Sequence, residues 1–256
     1  MDIIPAIDLL NGDCVRLYQG NYDEVTKFNA DPIDQALIWE SMGAARIHLV
    51  DLDGAKSGQG ANYELISSIA NQINIPIQLG GGIRSFEYAK RLIDKGIDRL
   101  ILGTIALENP TLLKKLTKEF PNRIIVGIDA KNGYVATRGW LEESKILATD
   151  LCQELSELEL ASIIYTDISK DGTLKGPNIA ELKLIANSSK IPIIASGGIG
   201  SLEDLIALTP LENIGIEAVI VGRALYDGSI ELNEAIKTIK NLDITDYDQY
   251  KPEKFC

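Results

Sequence analysis

The amino-acid sequence predicts an α/β protein of the (βα)8 class, a TIM barrel built from two duplicated (βα)4 half-barrels. Three observations lead to this prediction. Short runs rich in Ile and Val alternate with segments of helical periodicity, the runs are apolar on both faces, and residue types recur between the two halves of the 256-residue chain. Such runs are typical of buried parallel strands, and their strict alternation with helices favours a closed barrel over an open sheet.

The predicted strands and helices alternate along the whole chain. Strands are expected at 3–8, 46–51, 75–79, 99–103, 124–129, 162–167, 191–196 and 218–222. Helices are expected at 31–42, 62–72, 85–95, 109–119, 142–157, 178–188, 201–208 and 230–241. The start signal Asn109-Pro110 and the glycines Gly43 and Gly96 at expected helix ends support these bounds.

The repeat between the halves is clearest in two stretches, PIQLGGGIRS at 76–85 and PIIASGGIGS at 192–201. The same separation along the chain relates Asp51 to Asp167, each at the end of a predicted strand. A register of Asp, Pro and Gly that holds over several βα units indicates a duplicated half-barrel. It is less well explained by the general likeness of βα units.

The expected domain organisation follows from the repeat. No linker or low-complexity tract separates the two halves, so we expect one domain over 1–256. The half-barrels are expected at about 1–120 and 121–245. A C-terminal tail at 242–256 is assigned no function.

The net charge of −12 argues against several classes of partner. An acidic surface repels phosphate backbones and anionic membranes, so neither a nucleic acid nor a membrane is expected as a partner. A phosphorylated ligand would need a local device, such as backbone amides or a few arginines. No run of about 18 apolar residues occurs that could span a bilayer.

The cysteines and the one histidine limit the chemistry. Cys14, Cys152 and Cys256 are scattered without metal-ligand spacing, which fits a reducing cytosol. His48 is the only histidine, which argues against a His-based triad or a multi-histidine zinc centre. The N-terminus is too acidic for a signal peptide. We therefore expect a cytoplasmic protein without a metal site.

Two glycine-rich strand ends are the first candidate binding sites. At the start of a helix, glycine amides approach an anion closely and the helix dipole favours negative charge. The alternative is that the glycines only permit tight βα turns. Because two matched pairs occur, we predict two phosphate sites on opposite sides of one barrel mouth, and hence a substrate with two phosphates. The residues are Gly81, Gly82, Gly103 and Thr104 in the first half and Gly197, Gly198, Gly222 and Arg223 in the second.

Asp8 and Asp129 form the second candidate group. Each ends an apolar run, and the strands concerned are expected to face each other across the mouth. One could act as general base and the other as general acid if their environments differ. The alternative for either residue is a salt bridge or a loop cap. Carboxylates on opposite strands are too far apart to chelate one metal ion.

Other polar residues at the expected active face leave alternatives open. Thr166 could hydrogen-bond the substrate or simply be a β-branched strand residue. Trp140 could stack on a planar ring or fold back on the core. Asp51, Asp53 and Asp171 are at least as well explained by loop ordering, and His48 by a satisfied barrel histidine. Arginines near this face are candidate phosphate clamps: Arg16, Arg84, Arg138 and Arg223.

Over essentially its whole length the chain resembles the HisA family, the phosphoribosylformimino-5-aminoimidazole carboxamide ribotide (ProFAR) isomerases of histidine biosynthesis. The resemblance rests on IIPAIDLLNGDCVRLYQGNYD, HLVDLDGAKSG, IQLGGGIRS, GIDAKNGYVATRGW, YTDISKDGTLKGPN, SGGIGS and VGRAL. It implies a TIM barrel that converts the aminoaldose ProFAR to the aminoketose PRFAR by an Amadori rearrangement. No cofactor is implied, because the protonated nitrogen of the substrate accepts electrons.

The resemblance also implies roles for individual residues. Asp129 would be the general acid that opens the ribose ring, and Asp8 the general base that removes the C2′ proton. Thr166, with Asp167 behind it, would position the sugar, and Trp140 would cover the imidazole carboxamide. Arg16 is expected to contact the substrate as well. The two phosphates would bind at Gly81, Gly82 and Thr104, with Gly103 and Arg84 beside them, and at Gly172, Gly197, Gly198, Gly222 and Arg223.

Three alternatives stay open. The chain could be a cyclase of the related HisF family, a bifunctional isomerase that also acts on phosphoribosyl anthranilate, or a non-catalytic phosphosugar-binding barrel. We expect a monomer without an obligate protein partner. The segments 16–24 and 133–141 are expected to close over the substrate.

Overall fold

The computed structural model describes residues 1–28, 31–58, 60–137, 140 and 142–242. Arg138, one of the predicted phosphate clamps, lies outside these ranges. So does the predicted tail beyond residue 242.

The strands and helices follow in this order. The strands are β1 (Asp2–Leu10), β2 (Asp13–Tyr18), β3 (Asn21–Lys27), β4 (Ile47–Asp51), β5 (Ile77–Gly80), β6 (Arg99–Leu102), β7 (Ile124–Lys131), β8 (Tyr134–Thr137), β9 (Glu142–Leu147), β10 (Ser162–Asp167), β11 (Ile193–Ser196) and β12 (Ile216–Val221). The helices are α1 (Pro32–Ser41), α2 (Leu52–Ser57), α3 (Tyr63–Gln72), α4 (Phe86–Asp94), α5 (Ile105–Glu108), α6 (Pro110–Glu119), α7 (Ala148–Leu155), α8 (Ile179–Asn187), α9 (Leu202–Leu208), α10 (Arg223–Tyr226) and α11 (Leu232–Asn241). A 3-10 helix covers Thr209–Ile214.

Eight parallel strands close into a barrel. Their order around the sheet is β10, β11, β12, β1, β4, β5, β6 and β7, and β7 pairs in parallel with β10 to complete the circle. The predicted (βα)8 fold is therefore confirmed. In this order β1 and β7 lie on opposite sides of the barrel, which places the ends of these two strands across the mouth from each other.

Two antiparallel hairpins interrupt the predicted alternation. β2 and β3 follow β1, and β8 and β9 follow β7. The turns after β1 and β7 are Asn11-Gly12 and Asn132-Gly133, and all four residues have positive φ. Asn-Gly at a two-residue turn is the strongest short-range hairpin signal, and it accounts for both hairpins.

The helix predicted at 142–157 is wrong over its first third. Glu142–Leu147 forms β9, and the helix covers only Ala148–Leu155. Helix propensity is a weak prior, and pairing with a neighbouring strand overrides it here: Tyr134 of β8 lies opposite Leu147. The short helices α2, α5 and α10 are likewise additions to the predicted pattern.

Apolar side chains contributed by the strands form a cluster in the barrel interior. Its buried members are Ile4, Ala6, Ile125, Ile164, Ile194, Ala218 and Ile220. A larger apolar cluster lies between the outer face of the strands and the surrounding helices. Because interior and exterior side chains alternate along each strand, the barrel is a packed core, and polar side chains gather at the carboxyl ends of the strands.

Candidate active site

Asp8 lies at the mouth end of β1 and is held by an arginine from the adjoining hairpin. The Asn11-Gly12 turn folds β2 back so that Val15 pairs with Asp8. Arg16 then donates from Nη1 to Oδ2 of Asp8 over 2.9 Å. Burial raises the pKa of Asp8, and the Arg16 guanidinium opposes that shift. The site therefore contains a buried carboxyl group with a cationic partner.

Arg16 also binds a second carboxylate. Its Nη2 donates to Oδ1 of Asp171 over 3.3 Å, and Asp171 is only 7% exposed. The negative charge of Asp171 raises the pKa of Asp8 and that of Asp129 as well. The sequence favoured a loop-ordering role for Asp171, and its position within this charge network was not predicted.

Asp129 faces Asp8 from β7 and has neutral partners. Burial raises the pKa of Asp129, and hydrogen bonds from the side chains of Trp140 and Thr166 oppose the shift. Thr166 is the residue of β10 that pairs with Asp129, which explains their contact. The structure thus brings together the predicted acid, Thr166 and Trp140.

The second-half glycines form a small pocket that Asp171 also lines. Gly172, Gly197, Gly198 and Gly222 line it together with Arg16 and Arg223. Arg223 donates from Nη1 to the carbonyl oxygen of Gly172 over 3.0 Å. A Cβ at Gly222 would lie 2.6 Å from Cζ of Arg16, so glycine is required for the guanidinium to lie here. The pocket therefore has two arginines and bare backbone within reach of one ligand group.

The first-half glycines are packed against the neighbouring loop. Gly81 and Gly82 have φ of +103° and +70°, and a Cβ at Gly82 would lie 2.7 Å from the carbonyl oxygen of Gly54. A Cβ at Gly81 would collide with the backbone of Asp51. A tight turn is thus sufficient to explain these glycines, and their role in binding an anion stays a prediction.

The other predicted first-half residues differ in placement. Gly103 is exposed, and Thr104 begins the short helix α5 without capping it through its side chain. Arg84 donates from Nη2 to the carbonyl oxygen of Ala55 over 2.9 Å, and its guanidinium lies against Gly58. The Arg84 guanidinium is thereby tied to helix α2.

Asp51 and Asp167 order the loops that follow their strands. Asp51 accepts a hydrogen bond from Nδ2 of Asn62 over 2.7 Å and caps α2. Asp167 accepts from Nδ2 of Asn178 over 2.8 Å and from the backbone and hydroxyl of Ser169. The carboxylate of Asp167 is thus occupied by contacts within its own loop. This supports an indirect role, in which Asp167 holds the end of β10 and with it the neighbouring residue Thr166.

His48 lies inside the barrel, two register positions below Asp8. It pairs with Ala6 on β1, and Nε2 of Gln78 lies 3.0 Å from Nδ1 of His48. Burial, helped by the charge of Arg16, lowers the pKa of His48 to about 3. The imidazole is therefore neutral at physiological pH, as befits the satisfied barrel histidine that the sequence suggested. The buried partner Gln78 was not predicted.

Two further observations concern metal ions and membranes, and both apply to the residues that the structure describes. No three His, Cys, Asp or Glu side chains there are grouped so that they could hold a metal ion. None of the helices in that part of the chain is long and apolar enough to cross a membrane.

The fold and the site are those of a (βα)8-barrel enzyme with an aspartate toward the mouth end of each of two opposite strands, Asp8 on β1 and Asp129 on β7. The chain belongs to the histidine biosynthesis protein family, whose model matches residues 2–231. It is 65% identical over 246 residues to the 1-(5-phosphoribosyl)-5-((5-phosphoribosylamino)methylideneamino)imidazole-4-carboxamide isomerase of Prochlorococcus marinus strain NATL1A, covering 96% of each chain.

Other relatives carry the same name. The chain is 57% identical over 239 residues to the isomerase of Synechococcus sp. strain CC9311, covering 93% of each chain. It is 54% identical over 252 residues to that of Prochlorococcus marinus strain MIT 9313, covering 98% of this chain and 99% of the relative. The match thus extends across the barrel and both hairpins.

Proposed function

We propose that this chain catalyses the Amadori rearrangement of ProFAR to PRFAR; its relatives are named as imidazole-4-carboxamide isomerases. The observation that carries the proposal is the pair of aspartates on opposite strands, the buried Asp8 with a cationic partner and the half-buried Asp129 with neutral donors. An aldose–ketose rearrangement needs a proton delivered at one point and another removed nearby, which such a pair can perform.

Asp129 acts as the general acid. Burial raises the pKa of Asp129 and so favours the protonated carboxyl group, from which a proton passes to the ribose ring oxygen. The ring C1′–O bond breaks, and the substrate nitrogen supplies the electron pair that forms the protonated imine. Hydrogen bonds from Thr166 and Trp140 hold the carboxyl group in place during this step.

Asp8 acts as the general base. It takes the proton from C2′, and the C–H electron pair moves into the imine to give an enolamine. Arg16 stabilises the carboxylate form of Asp8, which is the form required to accept the proton. C1′ of the enolamine then takes up a proton, and the C2′ hydroxyl gives up its proton as C2′ becomes the carbonyl carbon of the aminoketose. The proton gained at C1′ balances the one lost from the C2′ hydroxyl, so the reaction is redox-neutral overall.

The substrate spans the mouth through its two phosphates. One phosphate binds in the second-half pocket beside Arg16 and Arg223, which supplies two cations in an otherwise acidic protein. The other binds at the first-half glycines around Gly81 and Gly82. The reacting sugar then lies between Asp8 and Asp129.

A single-turnover assay of the purified protein on ProFAR tests the proposal. Asp8→Asn and Asp129→Asn should each lower the rate by several orders of magnitude, while circular dichroism and PRFAR binding show that the fold and the site persist. Full activity in both variants would refute the mechanism. Turnover of PRFAR plus ammonia in place of ProFAR would identify a cyclase instead.

The same preparation tests the substrate range and assembly. We propose a cytoplasmic monomer that needs no cofactor; the free buried thiols of Cys14 and Cys152 fit a reducing compartment. Activity on phosphoribosyl anthranilate would show a bifunctional isomerase. Loss of ProFAR turnover after exhaustive dialysis, or sedimentation as a larger species, would contradict the cofactor-free or monomeric state.

A further inference from the structure

The turn between β2 and β3 contacts a tryptophan that belongs to the other half of the barrel. Gly20 has φ of +70°, and a Cβ placed on it would lie 2.5 Å from Cε3 and 2.7 Å from Cζ3 of Trp140. A methyl group cannot fit at either distance. The edge of the indole ring therefore lies directly on the bare backbone of Gly20.

Trp140 is held in an unusual backbone conformation. Its φ of +71° lies in the left-handed region, which bulky side chains rarely adopt and which persists only where the surroundings impose it. Two contacts are available to impose it: the backbone of Gly20 on one side and the hydrogen bond to Asp129 on the other.

The Gly20 turn is itself anchored, so it can act as a fixed support. Gln19 donates from Nε2 to the carbonyl oxygen of Ser169 over 3.3 Å. Tyr22 donates from its hydroxyl to the carbonyl oxygen of Leu52 over 3.1 Å. These bonds tie the two sides of the turn to the loops after β10 and β4, which leaves the ring of Trp140 little room to move toward the turn.

We propose that Gly20 is a positioning residue: its missing side chain seats the Trp140 ring across the mouth so that the indole N–H reaches the carboxyl group of Asp129. The effect on turnover rests on the proposed function, whereas the seating of the ring does not. Any side chain at position 20 pushes the ring away from the acid. Through Trp140, the β2–β3 hairpin of the first half thereby orients Asp129 in the second half.

The seating is measured by tryptophan fluorescence in a Trp39→Phe background, where Trp140 is the only tryptophan left. Gly20→Ala should shift the emission of Trp140 to longer wavelength and raise its quenching by acrylamide severalfold. Gly228→Ala is the matched control, because Gly228 has a similar φ of +75° and nothing within 4 Å of an added Cβ. Equal emission and quenching in the two variants would overturn the proposal.

A double-mutant cycle links the seating to the reaction. Gly20→Ala alone should lower the single-turnover rate on ProFAR by about 10²-fold, the loss typical of an ångström-scale misplacement. In a protein that already carries Trp140→Ala, Gly20→Ala should lower the rate by less than about threefold, because the ring that it would displace is absent. A loss of equal size in both backgrounds would overturn the positioning role. If the fluorescence behaves as expected but the unaltered protein does not convert ProFAR, the seating stands and the proposed function fails.

Discussion

The two halves of the barrel share a backbone plan and differ in the side chains that it presents. Both begin with a strand, an Asn-Gly turn and a hairpin, and φ at the two Asn-Gly turns is the same, +52° and +80°. The final serines of PIQLGGGIRS and PIIASGGIGS, Ser85 and Ser201, both cap the helix that follows. The resemblance between the halves is therefore structural as well as sequential.

The barrel interior shows the first difference. His48 and Gln78 form a polar pair in the first half. At the same separation that relates Asp51 to Asp167, the second half has Ile164 and Ile194, which are buried in the apolar interior. At these matched positions the first half is polar and the second half is apolar, and the polar pair lies beneath Asp8.

The two acids show the second difference. Asp8 is paired with the guanidinium of Arg16, whereas Asp129 accepts hydrogen bonds from Trp140 and Thr166. A cation stabilises the carboxylate form more strongly than a neutral donor does, so equivalent strand ends can supply a base and an acid. The comparison teaches that backbone position locates a functional group, while its partners determine what the group does.

Among the changes that test this difference between the two acids, removal of the Arg16 cation should have the largest effect on turnover. We expect Arg16→Met to lower turnover of ProFAR by about 10²- to 10³-fold, comparable to the loss of one donor that stabilises charge in an active site. Because Arg16 opposes the rise in the pKa of Asp8, its removal raises that pKa further. Asp8 must be ionised to accept a proton, so the acid limb of the pH–rate profile should move to higher pH. An unshifted acid limb would contradict the assignment of Asp8 as the base.

The two glycine sites should respond differently to loss of their arginines. Arg223→Met should raise the KM for ProFAR by about 10- to 100-fold, since a hydrogen bond to a charged group contributes about 1.5–3 kcal/mol. Arg84→Met should change it by less than about threefold, because the Arg84 guanidinium lies against Gly58 and is tied to α2, whereas Arg223 lines the glycine pocket. Steady-state kinetics of the two variants side by side provide the measurement. Equal increases in KM would show that the two sites bind their phosphates alike.

Converting the polar interior of the first half to that of the second should change stability. His48→Ile leaves Nε2 of the buried Gln78 without its partner, which should lower the free energy of unfolding by about 1–3 kcal/mol. His48→Ile combined with Gln78→Ile removes both polar groups and should restore most of that loss. Urea denaturation of the single and double variants provides the test, and an additive further loss would contradict it.

The same pair predicts how stability depends on pH. The pKa of His48 is lowered from 6.5 to about 3 on folding, so the unfolded chain binds the extra proton between these values. Stability from this group is therefore present above about pH 6.5 and is lost as pH falls, by at most about 1.4 kcal/mol per pH unit. The double Ile variant should lack this component. An unchanged slope in urea denaturation between pH 6 and pH 4, roughly the window that these pKa values define, would argue against it.

The helix caps should show the smallest difference between the halves. Ser201 forms a capping box with Asp204, whereas Ser85 accepts only from the backbone of Tyr88. Each Ser→Ala change should cost about 1 kcal/mol, and Ser201→Ala somewhat more because its box is reciprocal. Thermal unfolding of the two variants at fixed pH measures both losses of stability. A larger loss for Ser85→Ala than for Ser201→Ala would contradict the prediction.

The sequence predicted the barrel well because its strands are buried on both faces. Each predicted strand overlaps an observed one, as at 162–167, where the bounds agree. The hairpins were missed, although Asn11-Gly12 and Asn132-Gly133 carry a hairpin signal. Glu142–Leu147 was wrongly predicted as helix from its helical propensity. The structure of this segment depends on pairing with a neighbouring strand, which is a non-local interaction.

The site was predictable only in part. Asp8, Asp129 and Thr166 could be placed because each lies at or next to the end of a predicted strand, and the strand order puts those ends around one mouth. Gln78 gave no local signal, and the sequence placed Asp171 in a loop at the mouth without indicating its contact with Arg16. Arg16 and Asp171 are 155 residues apart along the chain, and their contact exists only once the barrel has closed.

The sequence by itself determined the periodic strands and helices, the repeat and the position of each acid at a strand end. These are local properties, since burial on both faces and turn chemistry are written in neighbouring residues. Only the tertiary structure decided which acid has a cation, where Trp140 lies and that Gly20 supports it. Those facts depend on contacts between distant segments, whose geometry is set by closure of the barrel and not by any one stretch of chain.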